Sequence, residues 1–363
     1  MDKNILVIGH AFVIDSNRSV WCKLGLVEPY AVDLVTPKTW KSNLVGKIRS
    51  NDSRAIGLEN IYATETYFKG SGSFYFYKLI KTFKILNSKK YHSIIINQES
   101  WSLSLFFINL ICLFTVNKNT NKFLMIAQNL KKKKLRWLIP FEKVNLWFVH
   151  KALGCCLETK EVLDWKGITI PWIYFPLFYS SELASMPKED KNVLTLGYLG
   201  RISEEKGINT LLKSFKSLRK ENNINLVIAG SGPLESKLKM DGVEFMGLIP
   251  HRDVQKFYSK IDVFVLPSVT RSFWKEQFGR VIVESVACGK FVIGSDSGAI
   301  PEVMRHLKLD YIFKEGDSNS LKEEVLRFLN DFEKLDISEH QEINQNIFSE
   351  KAFVERLIGI INE

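Results

Sequence analysis

From residue 193 onward, short apolar runs alternate with amphipathic segments at a spacing that few folds accommodate. Val193–Leu199 reads as a strand, Gly207–Arg219 as an amphipathic helix and Asn225–Ala229 as a second strand. The alternation continues with a short strand at Val243–Met246, a helix at Arg252–Lys260, a wholly apolar strand at Val263–Leu266, a helix near Phe278–Ala287 and a strand at Lys290–Gly294. Strands separated by helices pair in parallel through right-handed crossovers. The pattern predicts an open Rossmann-like α/β domain, which binds ligands beyond the carboxyl ends of its strands.

The first half repeats the theme less regularly, with strands expected at Ile5–Ile8, Ala31–Val35, Ser93–Ile96 and Lys122–Ile126. A chain of 363 residues is long enough for two domains of about 150 residues each. The stretch from Ile170–Pro176 through Met186–Pro187 is rich in proline and aromatic residues and has no helical period, so it reads as the link. The expected organisation is an N-terminal Rossmann-like domain over 1–187, a C-terminal one over 188–340, and a last segment over 341–363. That segment carries a helix at Ile347–Ile361 that crosses back to the first domain.

The longest apolar run, Leu103–Val116, contains Ser104, Asn109 and Thr115 and falls short of the roughly 20 residues a spanning helix needs, so it reads as a buried helix. Met1–Ile8 runs directly into a strand and shows no signal peptide. The five cysteines are odd in number and lack metal-ligand spacing, and adjacent Cys155 and Cys156 make a poor disulfide pair. These features lead to the expectation of a cytoplasmic protein without a metal site.

Charge is uneven. Residues 1–187 carry +12 and residues 188–363 carry −2, which together make the chain's +10. A basic first half points to an anionic partner, such as a phospholipid headgroup or a diphosphate-linked acceptor. Within it, Lys131, Lys132, Lys133, Lys134 and Arg136 form a run edged by Leu130, Leu135 and Trp137, and an anionic membrane surface is one expected partner. No DNA- or RNA-binding motif accompanies the run, so no nucleic-acid partner is expected.

The loops after the second-half strands concentrate the chemistry. Leu199–Gly207 places Arg201 and Lys206 five apart across a strand-to-helix turn, where helix amides also favour an anion. A guanidinium fork and a movable ammonium suit a diphosphate without a metal. Further on, Glu276 and Glu284 lie eight apart, the first in a loop ahead of Phe278–Gly279 and the second on the following helix, so both can face one cleft. Ala287-Cys-Gly289 and Gly298-Ala-Ile-Pro-Glu302 follow. Gly230-Ser-Gly232 opens like a dinucleotide fingerprint, but Glu235 stands where the third glycine belongs.

This stretch, over about residues 193–304, closely resembles the retaining glycosyltransferases of family four, with two Rossmann-like domains facing a central cleft (the GT-B fold) and a Glu-x7-Glu signature. The resemblance implies that Arg201 and Lys206 bind the donor diphosphate, Glu284 the ribose hydroxyls and Glu276 the donor sugar. The amides of Phe278 and Gly279 would line the sugar and phosphate pocket. Gly9-His10 matches the glycine-rich loop that closes over the donor in such enzymes, and Asn17 and Arg18 become candidates for acceptor or phosphate contacts. Gln128-Asn129 stands where relatives often carry a first-domain histidine or carboxylate, and Ser285-Val286 replaces the more usual Ala-Met.

The implied activity moves a sugar from a UDP- or GDP-sugar to an acceptor hydroxyl with retention and no further cofactor. The acceptor would be a glycan or a lipid-linked molecule in polysaccharide, lipopolysaccharide or other glycoconjugate synthesis, and the enzyme would sit at the inner face of the membrane. Two alternatives stand beside it: a dinucleotide-dependent oxidoreductase, and a non-catalytic nucleotide-sugar or membrane-binding module.

Overall fold

The computed structural model describes residues 2–42, 46–50, 55–68, 74–183, 193–250 and 253–363. The chain forms two compact units, one of Met1–Pro176 with Phe353–Glu363 and the other of Leu177–Ala352. The boundary expected near residue 187 lies outside the described residues, as does Arg252 at the start of an expected helix.

Seven strands build the main sheet of the first unit: β1 (Lys3–Gly9), β2 (Tyr30–Pro37), β3 (Asn60–Thr64), β4 (Ser93–Asn97), β5 (Asn121–Ile126), β6 (Lys151–Gly154) and β7 (Trp172–Tyr174). Their order is β7-β6-β5-β4-β1-β2-β3, and every pairing is parallel. Ile5, Leu6 and Val7 of β1 are all fully buried, as expected of a parallel strand covered on both faces. The helices are α1 (Ser19–Leu24), α2 (Leu79–Ser88), α3 (Leu103–Cys112), α4 (Ile139–Trp147) and α5 (Leu157–Trp165). Because the chain steps in one direction from β3 to β7, right-handed crossovers put α2 to α5 on one face of the sheet and α1 on the other. The apolar run at Leu103 is α3, which buries Leu105, Ile108 and Cys112.

The second unit carries β8 (Leu194–Leu199), β9 (Ile224–Ala229), β10 (Val243–Gly247), β11 (Val263–Leu266), β12 (Phe291–Ser295) and β13 (Ile312–Phe313). They are ordered β10-β9-β8-β11-β12-β13, again all parallel. Six helices follow: α6 (Ile208–Leu218), α7 (Val254–Tyr258), α8 (Arg280–Ala287), α9 (Ile300–His306), α10 (Ser318–Asp331) and α11 (Ser338–Phe348). α6 shows why the alternation was readable: Ile208, Leu211, Leu212, Phe215 and Leu218 recur at helical spacing and are buried, while Asn209 and Lys213 face solvent. In both units the strand order reverses once, between β1 and β4 and between β8 and β11. Those reversals are the switch points where open α/β sheets hold ligands.

Two expectations need correction. The proline-rich link supplies an edge strand, β7: Ala152 N donates to Pro171 O at 2.8 Å and Phe175 N to Gly154 O at 2.8 Å. Prolines flank such a strand because an edge needs hydrogen bonds on one side only. The expected single helix at 347–361 is two, because Ser349 is extended (φ −71°, ψ 158°) and stands between α11 and α12 (Glu350–Asn362). Its hydroxyl accepts from Ala352 N at 3.1 Å, the bond of a helix N-cap.

Phe353–Glu363 completes the first unit, as the expected crossing-back requires. The Phe353 ring meets Phe175 at 4.6 Å and Trp21 at 5.9 Å between centroids. Near the end, Asn362 donates to Tyr30 Oη at 2.8 Å and accepts from Lys3 Nζ at 2.6 Å. All five cysteines are free thiols.

Phe215 is fully buried at the centre of the α6 face. Phe215→Ala is expected to cost about 3–5 kcal/mol, read as a lowered thermal midpoint. A midpoint unchanged within a degree or so would show that this face does not hold α6 to the sheet.

Candidate active site

β8 and β11 lie side by side, with Leu196 opposite Val263 and Gly197 opposite Phe264, so the loops that follow them emerge together. The first loop runs into α6 through Gly207, whose φ of 73° is left-handed. A Cβ there would lie 1.6 Å from the carbonyl oxygen of Pro267, so only glycine lets the two loops touch. Val269 N donates to Glu205 O at 2.8 Å and holds the second loop to the first.

That contact brings Lys206 to Glu276. Lys206 Nζ donates to Glu276 Oε2 at 2.8 Å, and Ser268 Oγ donates to the same oxygen at 2.8 Å. Lys206 Nζ also stands 4.6 Å from the centre of the Trp274 ring. Glu276 is fixed from behind by Gly298 (φ 59°), where a Cβ would lie 2.1 Å from Glu276 O, and by Ala299 N, which donates to that carbonyl at 3.1 Å. Arg201 stands apart from this pair: its Nη1 is 3.7 Å from Glu205 Oε1, and its side chain is 42 % exposed. Its carbonyl accepts from Tyr198 Oη at 2.7 Å, which anchors the backbone while leaving the guanidinium outside.

α8 begins at Gly279, which is left-handed at φ 75° and offers no side-chain cap, so the first amides of the helix face the loop. Phe278 is buried against Phe348, with ring centroids 5.8 Å apart, which leaves only its backbone for a ligand. Glu284, on the second turn of α8, is buried, and its Oε1 lies 3.1 Å from Arg280 Nε. Burial raises its pKa above the usual carboxylate value, with Arg280 opposing the shift. Ser285, the departure noted from the sequence, donates to Val281 O at 2.6 Å inside its own helix, a packing role.

Gly232 N donates to Glu235 Oε1 at 2.7 Å, so this amide is already spent where a dinucleotide fingerprint would offer it to a phosphate. Ile202 N donates to Ser231 O at 2.9 Å, and the turn serves as packing for the Arg201 loop.

In the first unit, Gly9 ends β1 and His10 follows it at the switch point. The His10 ring lies 4.8 Å from Trp40 and 5.9 Å from Tyr75, and its Nδ1 is 3.5 Å from Gln98 Nε2. Burial lowers the His10 pKa to about 4, so the ring is neutral at pH 7 and offers a hydrogen bond without a charge. Arg18 is corrected from a phosphate contact to a buried tie. Its Nε donates to Phe12 O at 2.7 Å, its Nη2 to Ser50 Oγ at 2.8 Å, and its Nη1 is 3.0 Å from Asp15 Oδ1. Asn17 likewise donates to Ala11 O at 2.9 Å. Gln128 accepts from Lys166 Nζ at 2.7 Å, and Asn129 donates to Glu158 at 3.0 Å.

Sequence reasoning missed Ser268, Trp274, Glu205, Arg280 and Glu99. For two of them a signal existed: Arg201–Glu205 and Arg280–Glu284 have the i,i+4 spacing of helical ion pairs. Glu99 lies two residues beyond the end of β4. Burial raises its pKa to about 7 against hydrogen bonds from the backbone of Ala127 and Gln128. Among the described residues, no group of three or more His, Cys, Asp or Glu could hold a metal ion.

Two measurements check this electrostatic picture. A buried carboxyl with a raised pKa supports the fold fully below its unfolded value of 4.5 and loses that support as pH rises through the folded value. Glu284→Gln is therefore expected to melt higher than the parent at pH 8, with the gap closing toward pH 5; a gap that is independent of pH rejects burial as the cause. By NMR, the His10 ring is expected to show no titration between pH 5 and 8, and a midpoint near its ordinary 6.5 would contradict the burial.

Residues 182–346 match the family described as glycosyl transferases group 1. Over 191 residues the chain is 32 % identical to an uncharacterised glycosyltransferase of Methanocaldococcus jannaschii, covering 47 % of each. Over 202 residues it is 27 % identical to the amylovoran biosynthesis glycosyltransferase AmsK of Erwinia amylovora, covering 52 % of this chain and 46 % of the relative. The match thus spans about half the length of these curated relatives. In fold, the chain is similar to sucrose-phosphate synthase from Thermosynechococcus elongatus (TM-score 0.75, 17 % identity, 99 % of this chain and 98 % of that one). It is also similar to Anabaena HepE, solved in complex with UDP (TM-score 0.73, 13 % identity, 99 % of both chains). The two parallel-sheet units have the GT-B fold of these solved structures, and the stretch similar to the glycosyl transferases group 1, residues 182–346, contains the paired loops of β8 and β11.

Proposed function

We propose that the protein transfers a sugar from a nucleotide diphosphate sugar to an acceptor hydroxyl with retention of configuration, as a family-four enzyme. The observation that carries this reading is the cluster of Lys206, Glu276 and Ser268 at the joined ends of β8 and β11, with Arg201 exposed on the β8 loop. Similarity to a chain solved with UDP, and to relatives named for amylovoran and capsular polysaccharide biosynthesis, supports the reading.

In this reading, the donor diphosphate meets the Arg201 guanidinium and the Lys206 ammonium, and the uncapped amides of α6 and α8 face the same anion. As the bond from the anomeric carbon to the diphosphate oxygen breaks, the negative charge growing on that oxygen is met by cations already in place. The acceptor oxygen bonds to the carbon on the same face, and its proton passes to the departing phosphate oxygen. Glu276, steadied by Ser268, accepts from donor sugar hydroxyls. Glu284 accepts from the ribose hydroxyls, whose bonds offset the cost of burying its carboxylate. The acceptor is a glycan or a lipid-linked molecule.

Thermal stabilisation by UDP, GDP and their sugar conjugates, without added metal, tests the donor site. Stabilisation by one nucleotide family, abolished in Glu284→Ala and Arg201→Ala, is the expected result. In steady state, Glu284→Ala is expected to lose at least about tenfold in the donor step, since bonds to a charged group contribute about 1.5–3 kcal/mol each. A loss below about threefold removes Glu284 from the donor site.

A further inference from the structure

The crossover direction places α2, α3 and α4 side by side on one face of the first unit's sheet, with α2 packed on α3 and α3 on α4. Their outward sides are unusually apolar. α2 turns Thr82, Ile85 and Leu86 inward and leaves Ile80 78 % exposed, with Phe83 beside it at 39 %. Phe114, just beyond α3, is 73 % exposed, and Trp147 at the end of α4 is 86 % exposed. A chain of rings joins these helices. Phe76 stacks on Phe107 at 4.3 Å, Phe107 meets Phe106 at 5.4 Å, and Phe106 meets Phe141 of α4 at 5.4 Å. The rings thus tie α3 to α4 and to Phe76 just ahead of α2, and large exposed apolar patches mark interaction sites.

The stretch of chain that carries these helices is strongly basic. Residues 67–147 contain 14 Lys and Arg against two carboxylates, Glu99 and Glu142. Glu142 is buried and bonded to Lys166 at 2.7 Å, and Oε2 of Glu99 is buried without a hydrogen-bond partner, so neither offsets the cations outside. Lys81 and Lys84 lie on α2, Lys143 on α4, and Lys133 and Lys134 on the turn that leads into α4, all of them exposed.

We propose that the α2–α3–α4 face docks on an anionic lipid bilayer, with its rings and aliphatic side chains at the headgroup–acyl boundary and its lysines on the lipid phosphates. Protein interfaces are depleted of lysine, whereas apolar residues ringed by lysine are the signature of interfacial membrane helices. A bilayer also needs no matching groove. Among the described residues no helix is long and apolar enough to cross a membrane, so the contact is superficial. The structure also redistributes the basic run read from the sequence. Lys131 pairs with Glu161 at 3.3 Å and Arg136 stacks over Trp165 at 5.6 Å, so those two serve the fold and the docking charge is spread over α2, α4 and the turn before α4. The inference does not rest on the sugar-transfer reading.

The test is co-sedimentation of the full chain with neutral phosphatidylcholine vesicles and with vesicles mixed with phosphatidylglycerol, across a salt series. Ile80→Ser/Phe83→Ser/Trp147→Ser and Lys133→Gln/Lys134→Gln/Lys143→Gln are compared with the parent. All six side chains are exposed, and a thermal melt checks that both variants fold. The parent is expected to bind the anionic vesicles and release with salt. The lysine variant should lose about fivefold per cation, on the order of a hundredfold in all. The apolar variant should lose at least about tenfold. Equal binding to both vesicle types, no binding to either, or a folded variant that partitions like the parent overturns the proposal. A parent that ignores vesicles but dimerises, with the dimer lost in the apolar variant, overturns it in favour of a second copy of the chain.

Discussion

Two loops that touch backbone to backbone set the geometry of the second unit's ligand-facing edge. Gly207 against the Pro267 carbonyl admits no Cβ, and Gly298 against the Glu276 carbonyl admits none either. Because parallel strands all end on the same edge of the sheet, their loops must share a small area, and glycine is what lets peptide planes approach that closely. The side chains that meet there follow from the contact: once the β8 and β11 loops are locked, Lys206 has Glu276 and Ser268 within hydrogen-bond reach. The electrostatics are a consequence of backbone packing.

The second unit was legible because its elements are amphipathic at the right period. The α6 face, the wholly apolar β11 and the glycines after strands each follow a local rule. What the residues alone did not show was short or one-sided. β3, β7 and β13 are edge strands of five, three and two residues, too short to display an alternation. The link between the units showed no helical period, and its strand went unread because Pro171 and Pro176 flank β7, where an edge position tolerates both.

The site divides in the same way. Arg201, Lys206, Glu276 and Glu284 were readable from spacing within one stretch of chain, and the structure joins two of them directly. Ser268 and Trp274 carry no spacing signal, because a serine after a buried strand and a tryptophan in an irregular loop acquire meaning only when Glu276 and Lys206 are brought to them. Arg18 failed in the opposite direction. A basic residue after the first strand looked available, but folding spends its guanidinium on Phe12, Ser50 and Asp15. Glu284 shows the tension between stability and the proposed donor binding: burial disfavours the charge of its carboxylate, and Arg280 beside it opposes that.

The break at Ser349 and the return of Phe353–Glu363 to the first unit bear on how the protein is made. The second unit is one uninterrupted stretch, Leu177–Ala352, whereas the first needs residues from both sides of it. During synthesis the first unit waits, with Trp21 and Phe175 lacking their cover, until Phe353 has left the ribosome, so the unit that starts first is finished last. The order of biogenesis thus runs against the order of the chain, and the seven-stranded sheet has its longest exposure to mispairing before the final helix arrives.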